Sequence, residues 1–512
     1  MIFKIYDSEA VARVFFKGYF FGSLFLGLIA LYGLASGAGI LSTLSGFAYI
    51  VIASLLSLNK RFRRSPFSIL FCFFTFLFLN IPAAFILVEG SDYIYGEGLT
   101  SISFAQSDYQ QSLPLGFLYL SVFWFAMWLA IISARARRRN INQESFSSIS
   151  PMHILLLGII VLVVTWIDNQ SITDVRLGGA EHINSLLAFI FFDHAYLVMA
   201  GLILFYKLNE PAHVVNSKRI AMLVSALLIG FTFIQFIAGS KAAILTTFIL
   251  LVFFPFSIFR EYPHAQVPFP SPKFLVVIVF LTLPLFYIAL IQRISLGSAI
   301  APDFGTLLAG ISEIDASVVY DIANQIFYRF SQGGIDRFLL IFQSFVINSF
   351  DPATSREYVI YLAKNTLNLL LPGTPFPESY VPSSQLFAQV LEKNLVGWDL
   401  DSSALLIQLN SQPYTIFGVF IIIFNFTAPA VLYLFTFVFI FVFNRMSHIF
   451  SKITMLYFFA GALSSYGIEI AIGNSAHLFV SILIMYFLLK LFSRFHTKLA
   501  VKSNRIHSPA PT

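Results

Sequence analysis

Apolar runs long enough to cross a bilayer recur along this chain, set apart by short polar connections, until one long polar stretch breaks the rhythm. Windows of about 19 residues find apolar stretches near 18–34, 39–58, 66–88, 114–134, 152–167, 186–206, 220–239, 242–259, 274–292, 415–443, 453–471 and 477–493. In a bilayer only helices satisfy their own backbone groups segment by segment, so each stretch predicts a spanning helix. The stretch 152–167 is short for a crossing. The stretch 415–443 is long for one, and Pro429 within it predicts a kink.

The polar interruption runs from Arg293 to Pro413. Within it Ala316–Phe330, Ile335–Ser349 and Glu357–Leu371 carry apolar residues at helical spacing, each too short or too polar to span. Turn-rich pieces separate them: Gly333-Gly334, Asp351-Pro352 and LPGTPFPESYVPSS. Such helices should pack on one another or lie on the outer leaflet. The segment is then either a structural cap or a lid and substrate platform over a cavity that opens outward. The predicted fold is an all-α integral membrane protein with about twelve transmembrane helices and one large external, partly helical loop. Its divisions are helices one to nine over 1–292, the loop over 293–412, and helices ten to twelve with a C-terminal tail over 413–512.

Charge sets the orientation. Lys60, Arg61, Arg63 and Arg64 follow the second stretch; Arg135, Arg137, Arg138 and Arg139 follow the fourth; Lys207, Lys218 and Arg219 follow the sixth. Arg260 and Lys273 flank the next such gap, Arg445 and Lys452 another, and Lys490, Arg494 and Lys498 mark the last side. Every second connection is basic, which predicts a cytoplasmic location for these and for both termini. The alternate connection 89–113 holds Glu89, Asp92, Glu97 and Asp108 with no Lys or Arg. The connection 168–185 holds Asp168, Asp174, Arg176, Glu181 and His182, and the same alternation puts the large loop outside.

Composition agrees with a bilayer setting. The chain is 58% hydrophobic and 11% charged, with a mean hydropathy of +0.82, against roughly a quarter charged residues in soluble domains. The net charge of +6 lies in short clusters between spans, so no nucleic-acid partner is expected. The single cysteine, Cys72, sits in the Phe-rich run FCFFTFLF, which excludes an intrachain disulfide framework or a Cys-based metal site. Lys4, Arg13 and Lys17 precede the first apolar run without a cleavage-site pattern, so that run is expected to be retained.

Ionisable residues inside spans are costly and are functional candidates by default. Asp193-His194 fall in the sixth stretch, below the outer surface if the span begins near Ser185. Glu469 lies near the outer end of the eleventh stretch, with His477 across a short turn. Lys241 sits at the turn between the seventh and eighth, in FIAGSKAAIL, and Arg293 where the ninth emerges. The competing readings are interhelical hydrogen bonds for Asp193 and His194, interfacial anchoring for Lys241 and Arg293, and plain ion pairing for Glu469. Arg329, Asp336 and Arg337 in YRFSQGGIDRF can equally be ordinary surface ion pairs. No HExxH occurs, residues 293–412 contain no histidine, and Asp399/Asp401 in GWDLDSS are an unspecific pair, so no cofactor or metal is expected.

About a dozen spans, both ends inside and a dominant external loop near the C-terminal third resemble the bacterial O-antigen or capsule repeat-unit polymerases, the Wzy-type oligosaccharide polymerases. GSKAAIL is similar to that family's Gly-Ser-Arg/Lys turn opening a span. LLPGTPFPESYVPSSQLFAQVL followed by SQPYTIFGVFIIIF is similar to its Pro-rich loop leading into a Tyr-x-x-Phe-Gly span entry. Lys241 stands where Arg is frequent, which puts a bidentate role there in doubt. The resemblance implies a metal-independent glycosyltransferase of lipopolysaccharide-type polysaccharide biosynthesis at the inner membrane of the cell envelope. A glycan on undecaprenyl or another polyprenyl pyrophosphate passes to the non-reducing sugar of a fresh lipid-linked unit. On that resemblance Lys241, Arg293, Arg329, Arg337 and Arg176 hold the pyrophosphate, and Asp336, Glu469 or His194 takes the acceptor proton. It implies as partners the lipid-linked oligosaccharide, the bilayer and a chain-length regulator.

The related O-antigen ligases usually carry a His-Asn shortly before the tenth span, where this chain reads DSSALLIQLNSQPY without histidine. A transporter or flippase of lipid-linked sugar is a third class, argued against by the uneven layout and the absence of a visible internal repeat.

Overall fold

The computed structural model describes residues 3–34, 39–89, 106–134, 146, 149–176, 190–210, 217–237, 243–260, 265–271, 273, 335–347, 352–370, 375, 416–464 and 468–506. A short strand β1 (Phe3–Asp7) leads into helix α1 (Ser8–Tyr32). Then come α2 (Ile40–Ser57), α3 (Lys60–Arg63), and α4 (Pro66–Thr75) joined through a π turn (Phe76–Asn80) to α5 (Ile81–Glu89). Next are α6 (Gln106–Ser133), α7 (Pro151–Arg176), α8 (Asp193–Leu208) and α9 (Ser217–Ile237). Helix α10 (Ala243–Phe248) runs through a second π turn (Ile249–Phe253) into α11 (Phe254–Phe259), followed by strand β2 (Gln266–Pro270). The remainder is α12 (Ile335–Ile347), α13 (Pro352–Leu370), α14 (Ile416–Phe424), α15 (Ala428–Arg445), α16 (Ile449–Leu463) and α17 (Ile468–Ile506).

Among the described residues seven stretches are long and apolar enough to cross a membrane: Ser8–Tyr32, Ile40–Ser57, Pro66–Val88, Leu113–Ser133, Ser217–Gln235, Ile416–Arg445 and Ile470–Arg494. Three shorter apolar helices, Pro151–Ile167, Ile244–Phe259 and Ile449–Leu463, accompany them. The protein is therefore a helical, multi-pass membrane protein. The ninth predicted stretch, 274–292, lies outside the described residues.

The basic connections gather at one end of the bundle. β1 pairs antiparallel with β2, Phe3 opposite Pro270 and Asp7 opposite Gln266. Asn209, just past α8, donates to Gln266 O at 2.9 Å and accepts from Gln266 N at 2.6 Å. Arg260, just past α11, reaches Ser65 O at 3.3 Å, and Trp128 Nε1 near the end of α6 donates to Leu56 O at 2.9 Å. Phe146, between α6 and α7, packs its ring on Tyr206, Phe450 and Tyr486. Successive membrane-level helices thus start and end at this basic end by turns.

Two local rules shape the interior. Each π turn stands just before a proline, Pro82 or Pro255, whose missing N–H removes one α-helical bond. The register shifts to accommodate it: Ile81 N–H donates to Phe76 O, and Phe254 N–H to Ile249 O, five residues back in each case. Helix α8 is apolar on all sides, and every residue from Ala195 to Phe205 is buried, which makes it the central helix of the described bundle. It packs on α7, α9, α11, α17 and the second π turn. Gly201 makes that approach feasible, since a Cβ there would collide with the Leu251 carbonyl and the Pro255 ring.

Between α1, α2 and the first π turn lies a neutral polar knot. Asn80 Oδ1 accepts from the Tyr49 hydroxyl at 2.9 Å, while its Nδ2 donates to Tyr19 Oη and Ser23 Oγ, each at 3.2 Å. Asn80, Tyr49 and Ser23 are wholly buried.

Several boundaries differ from the sequence reading. The first helix begins at Ser8, ten residues before its apolar core, because Asp7 caps it by accepting from Glu9 N and Ala10 N. Residues 168–176, read as loop, continue α7 as helix. The kink expected at Pro429 is instead a reversal. Asn425 adopts a left-handed φ of 49°, Asn425–Thr427 form a single 3-10 turn, and Pro429 occupies the first turn of α15. Phe420 and Phe435 would stand about 22 Å apart along one helix axis, yet their ring centroids are 5.7 Å apart. Helix α14 folds back on α15.

Of the three helices expected in the large loop, α12 and α13 are present, whereas Ala316–Phe330 lies outside the described residues. They do not sit on one another as a cap. Leu339, Phe338, Phe342 and Phe345 of α12 line Gly116, Tyr119 and Phe123 of α6. Ser355 of α13 donates to Ile422 O of α14 at 2.8 Å, and α13 also packs along α17. The apolar face of α12 finds its cover on a spanning helix, which removes its apolar area from water more fully than an interface would.

Candidate functional site

A cluster of ionisable and polar groups lies at the end of α8 away from the basic connections. Helix α8, about 24 Å long, opens with Asp193 and His194 and meets its next ionisable residue only at Lys207. The two residues stand at the helix start, rather than inside a span beginning near Ser185. A carboxylate in the first turn is favoured by the helix dipole. Asp193 Oδ1 accepts from His194 N at 2.7 Å, and Oδ2 from Gln235 Nε2 of α9 at 2.8 Å. Gln235 in turn accepts from Thr247 Oγ1 of α10 at 3.4 Å, and both side chains are buried.

His194 Nδ1 lies 2.7 Å from the Tyr457 hydroxyl of α16. Its ring tilts against Phe192 with centroids 4.9 Å apart, and Phe192 stacks on His477 of α17 at 4.8 Å with planes 2° apart. Five helices thus supply one cluster. The His194 and Asp193 side chains keep 26% and 15% exposure, so a reactant can reach them.

The chemistry open to this arrangement is proton transfer. With the mobile proton on Nδ1, that nitrogen donates to Tyr457 and Nε2 presents a lone pair; among the described residues no hydrogen bond occupies Nε2. Once protonated, the imidazolium faces Asp193 Oδ1 3.9 Å from Nε2. The arrangement has the parts of an oriented base and a carboxylate that steadies its charged form. Among the described residues no group of three His, Cys, Asp or Glu gathers to hold a metal ion.

The other predicted site residues are placed less fully. Asp336 and Arg337 occupy the first turn of α12, Glu469 the first turn of α17, and Arg176 the last position of α7. For these four the backbone is described and the side chains are not. Lys241, Arg293 and Arg329 lie outside the described residues. Glu469 and His477 were expected on two spans joined by a turn, but one helix carries them. Both ride on α17, about 12 Å apart along its axis.

Sequence reasoning missed Gln235, Thr247 and Tyr457. They are uncharged, and a neutral polar residue inside an apolar run carries little cost to mark it; FIQFIAG and MLYFFAG hold two of them. No family model, curated protein or solved structure matches the chain.

Proposed function

We propose that the protein is a membrane glycosyltransferase that polymerises polyprenyl-pyrophosphate-linked oligosaccharide units at the outer face of the cytoplasmic membrane. In this reading about twelve helices span, the basic end and both termini are cytoplasmic, and residues 293–412 are external. The observation that carries it is the Asp193–His194–Tyr457 cluster, which stands at the level where an externally displayed acceptor would meet the bundle.

His194 Nε2 takes the proton of the acceptor sugar hydroxyl as that oxygen bonds to the anomeric carbon of the donor glycan. The anomeric C–O bond to the lipid pyrophosphate breaks, and the pyrophosphate leaves with the electron pair. Asp193 steadies the imidazolium through the charge of its carboxylate, and Tyr457 fixes the ring. Asp336 and Glu469 are the alternative bases. The leaving pyrophosphate needs cations, for which Lys241, Arg293, Arg329, Arg337 and Arg176 are proposed. Helices α12 and α13, anchored on α6, α14 and α17, suit a substrate platform of fixed position.

The test is a gel of surface polysaccharide from cells lacking the chain, beside complemented cells. Polymerase activity predicts collapse of the ladder to core plus one repeat, restored by the native gene and not by His194→Ala. Loss of every repeat would shift the assignment to ligation or export. An unchanged ladder would remove the reading.

A further inference from the structure

At the basic end two cations are partly buried. Arg63 closes α3 and Arg260 follows α11, and the two guanidinium carbons lie 5.8 Å and 5.2 Å from the centre of one buried ring, Phe16 of α1. Their protein partners are neutral. Arg63 Nε donates to Ser57 O at 3.2 Å, and Arg260 Nη1 to Ser65 O at 3.3 Å and Ser68 Oγ at 3.2 Å. Among the described residues neither forms an ion pair, and Arg260 Nη2 and both terminal nitrogens of Arg63 make no hydrogen bond. Burial pushes the Arg260 guanidinium down to about 9; Cys72 opposes the shift, Arg63 acts in the same direction as burial, and Glu9 opposes it. Two partly buried like charges near one ring, with only neutral hydrogen-bond partners, are stabilised when an anion pairs with them.

The surroundings fit an anion that carries a lipid tail. Ser65 caps α4, so the positive end of a long helix faces the same place. Lys60, Arg61 and Arg64 of the adjoining chain, and Arg13 and Lys17 of α1, are exposed and add positive charge to this end. Val14 and Phe21 on the outer face of α1 are 71% and 65% exposed, so an apolar surface for acyl chains is present on the same helix.

We infer that Arg63 and Arg260, over Phe16 and beside the start of α4, form a binding site for the phosphate of an anionic phospholipid headgroup. Arginine forks match phosphate oxygens, and basic pockets between helices are a known means of holding such headgroups. The site is independent of the transferase reading, because it lies at the opposite end of the bundle from His194.

The test uses the full chain in mild detergent, with native mass spectrometry counting bound phosphatidylglycerol or phosphatidylcholine. The native protein should prefer phosphatidylglycerol, and the double variant Arg63→Gln/Arg260→Gln should weaken its binding by on the order of tenfold or more. Glutamine at 260 keeps a donor for Ser65 O, and an unchanged size-exclusion profile shows that the variant folds. Lys218→Gln/Arg219→Gln, which removes the same charge from an exposed place at the same end, should keep the preference. No preference in the native protein, its retention in the Arg variant, or equal loss in both variants would overturn the site. Inorganic phosphate that stabilises the lipid-free native protein, with nothing added by phosphatidylglycerol, would assign the site to a free ion and overturn the lipid.

Discussion

Two polar clusters lie within this apolar protein, and they are built on opposite principles. The knot around Asn80 is neutral and sealed: both ends of one amide are taken up by Tyr49, Tyr19 and Ser23, and nothing reaches it. The cluster around His194 is ionisable and left partly open, with one ring nitrogen held by Tyr457 and the other offered outward. In hydrocarbon an unsatisfied polar group costs several kcal/mol. The knot avoids that cost by pairing its polar atoms, whereas the His194 cluster retains reactive capacity beside some exposure. Full pairing marks a group that holds helices together; incomplete pairing of an ionisable group marks a place for a reactant.

The sharpest way to break this contrast is His194→Ala. Repeat-unit transfer by purified protein should fall by about 10²–10⁴-fold, with thermal unfolding in detergent close to native. A comparable loss of folded protein would instead make His194 structural. Next in size is a change belonging to neither cluster. Gly201→Val, which drives a branched side chain into the Leu251 carbonyl and Pro255, should cost about 3 kcal/mol, read as a lowered Tm.

Asn80→Leu leaves three buried hydroxyls without their amide and should cost about 2 kcal/mol. Transfer per folded molecule should stay native, and a fall in it would merge the two clusters into one functional network. Tyr457→Phe is the gentlest. It removes one interhelical bond of about 0.6–1.7 kcal/mol, and transfer should drop severalfold while the fold persists.

The pattern of apolar runs made the crossings legible because a bilayer tolerates few alternatives to a helix of sufficient length. Where length and composition were the only signals, detail was lost. Ile416–Arg445 reads as one segment in hydropathy, and only the left-handed backbone at Asn425 turns α14 back. The pairing of FKIYD with QVPFP was invisible, since two five-residue strands so far apart in sequence give no local period. In the site, Asp193 and His194 stood out as charges in an apolar run, but their partners depend on how α9, α10, α16 and α17 pack around α8. Gln235 and Tyr457 become meaningful only once those helices meet.

The β1–β2 pair bears on how the chain is made. Translation proceeds at about 5–20 residues per second, so β1 waits roughly 13–50 s after synthesis before its partner strand leaves the ribosome. By then α1 to α5 have been handed to the membrane, while an unpaired strand beside them is open to wrong partners. Substitutions in 266–270 should therefore appear as late assembly defects, in molecules whose early helices are already inserted.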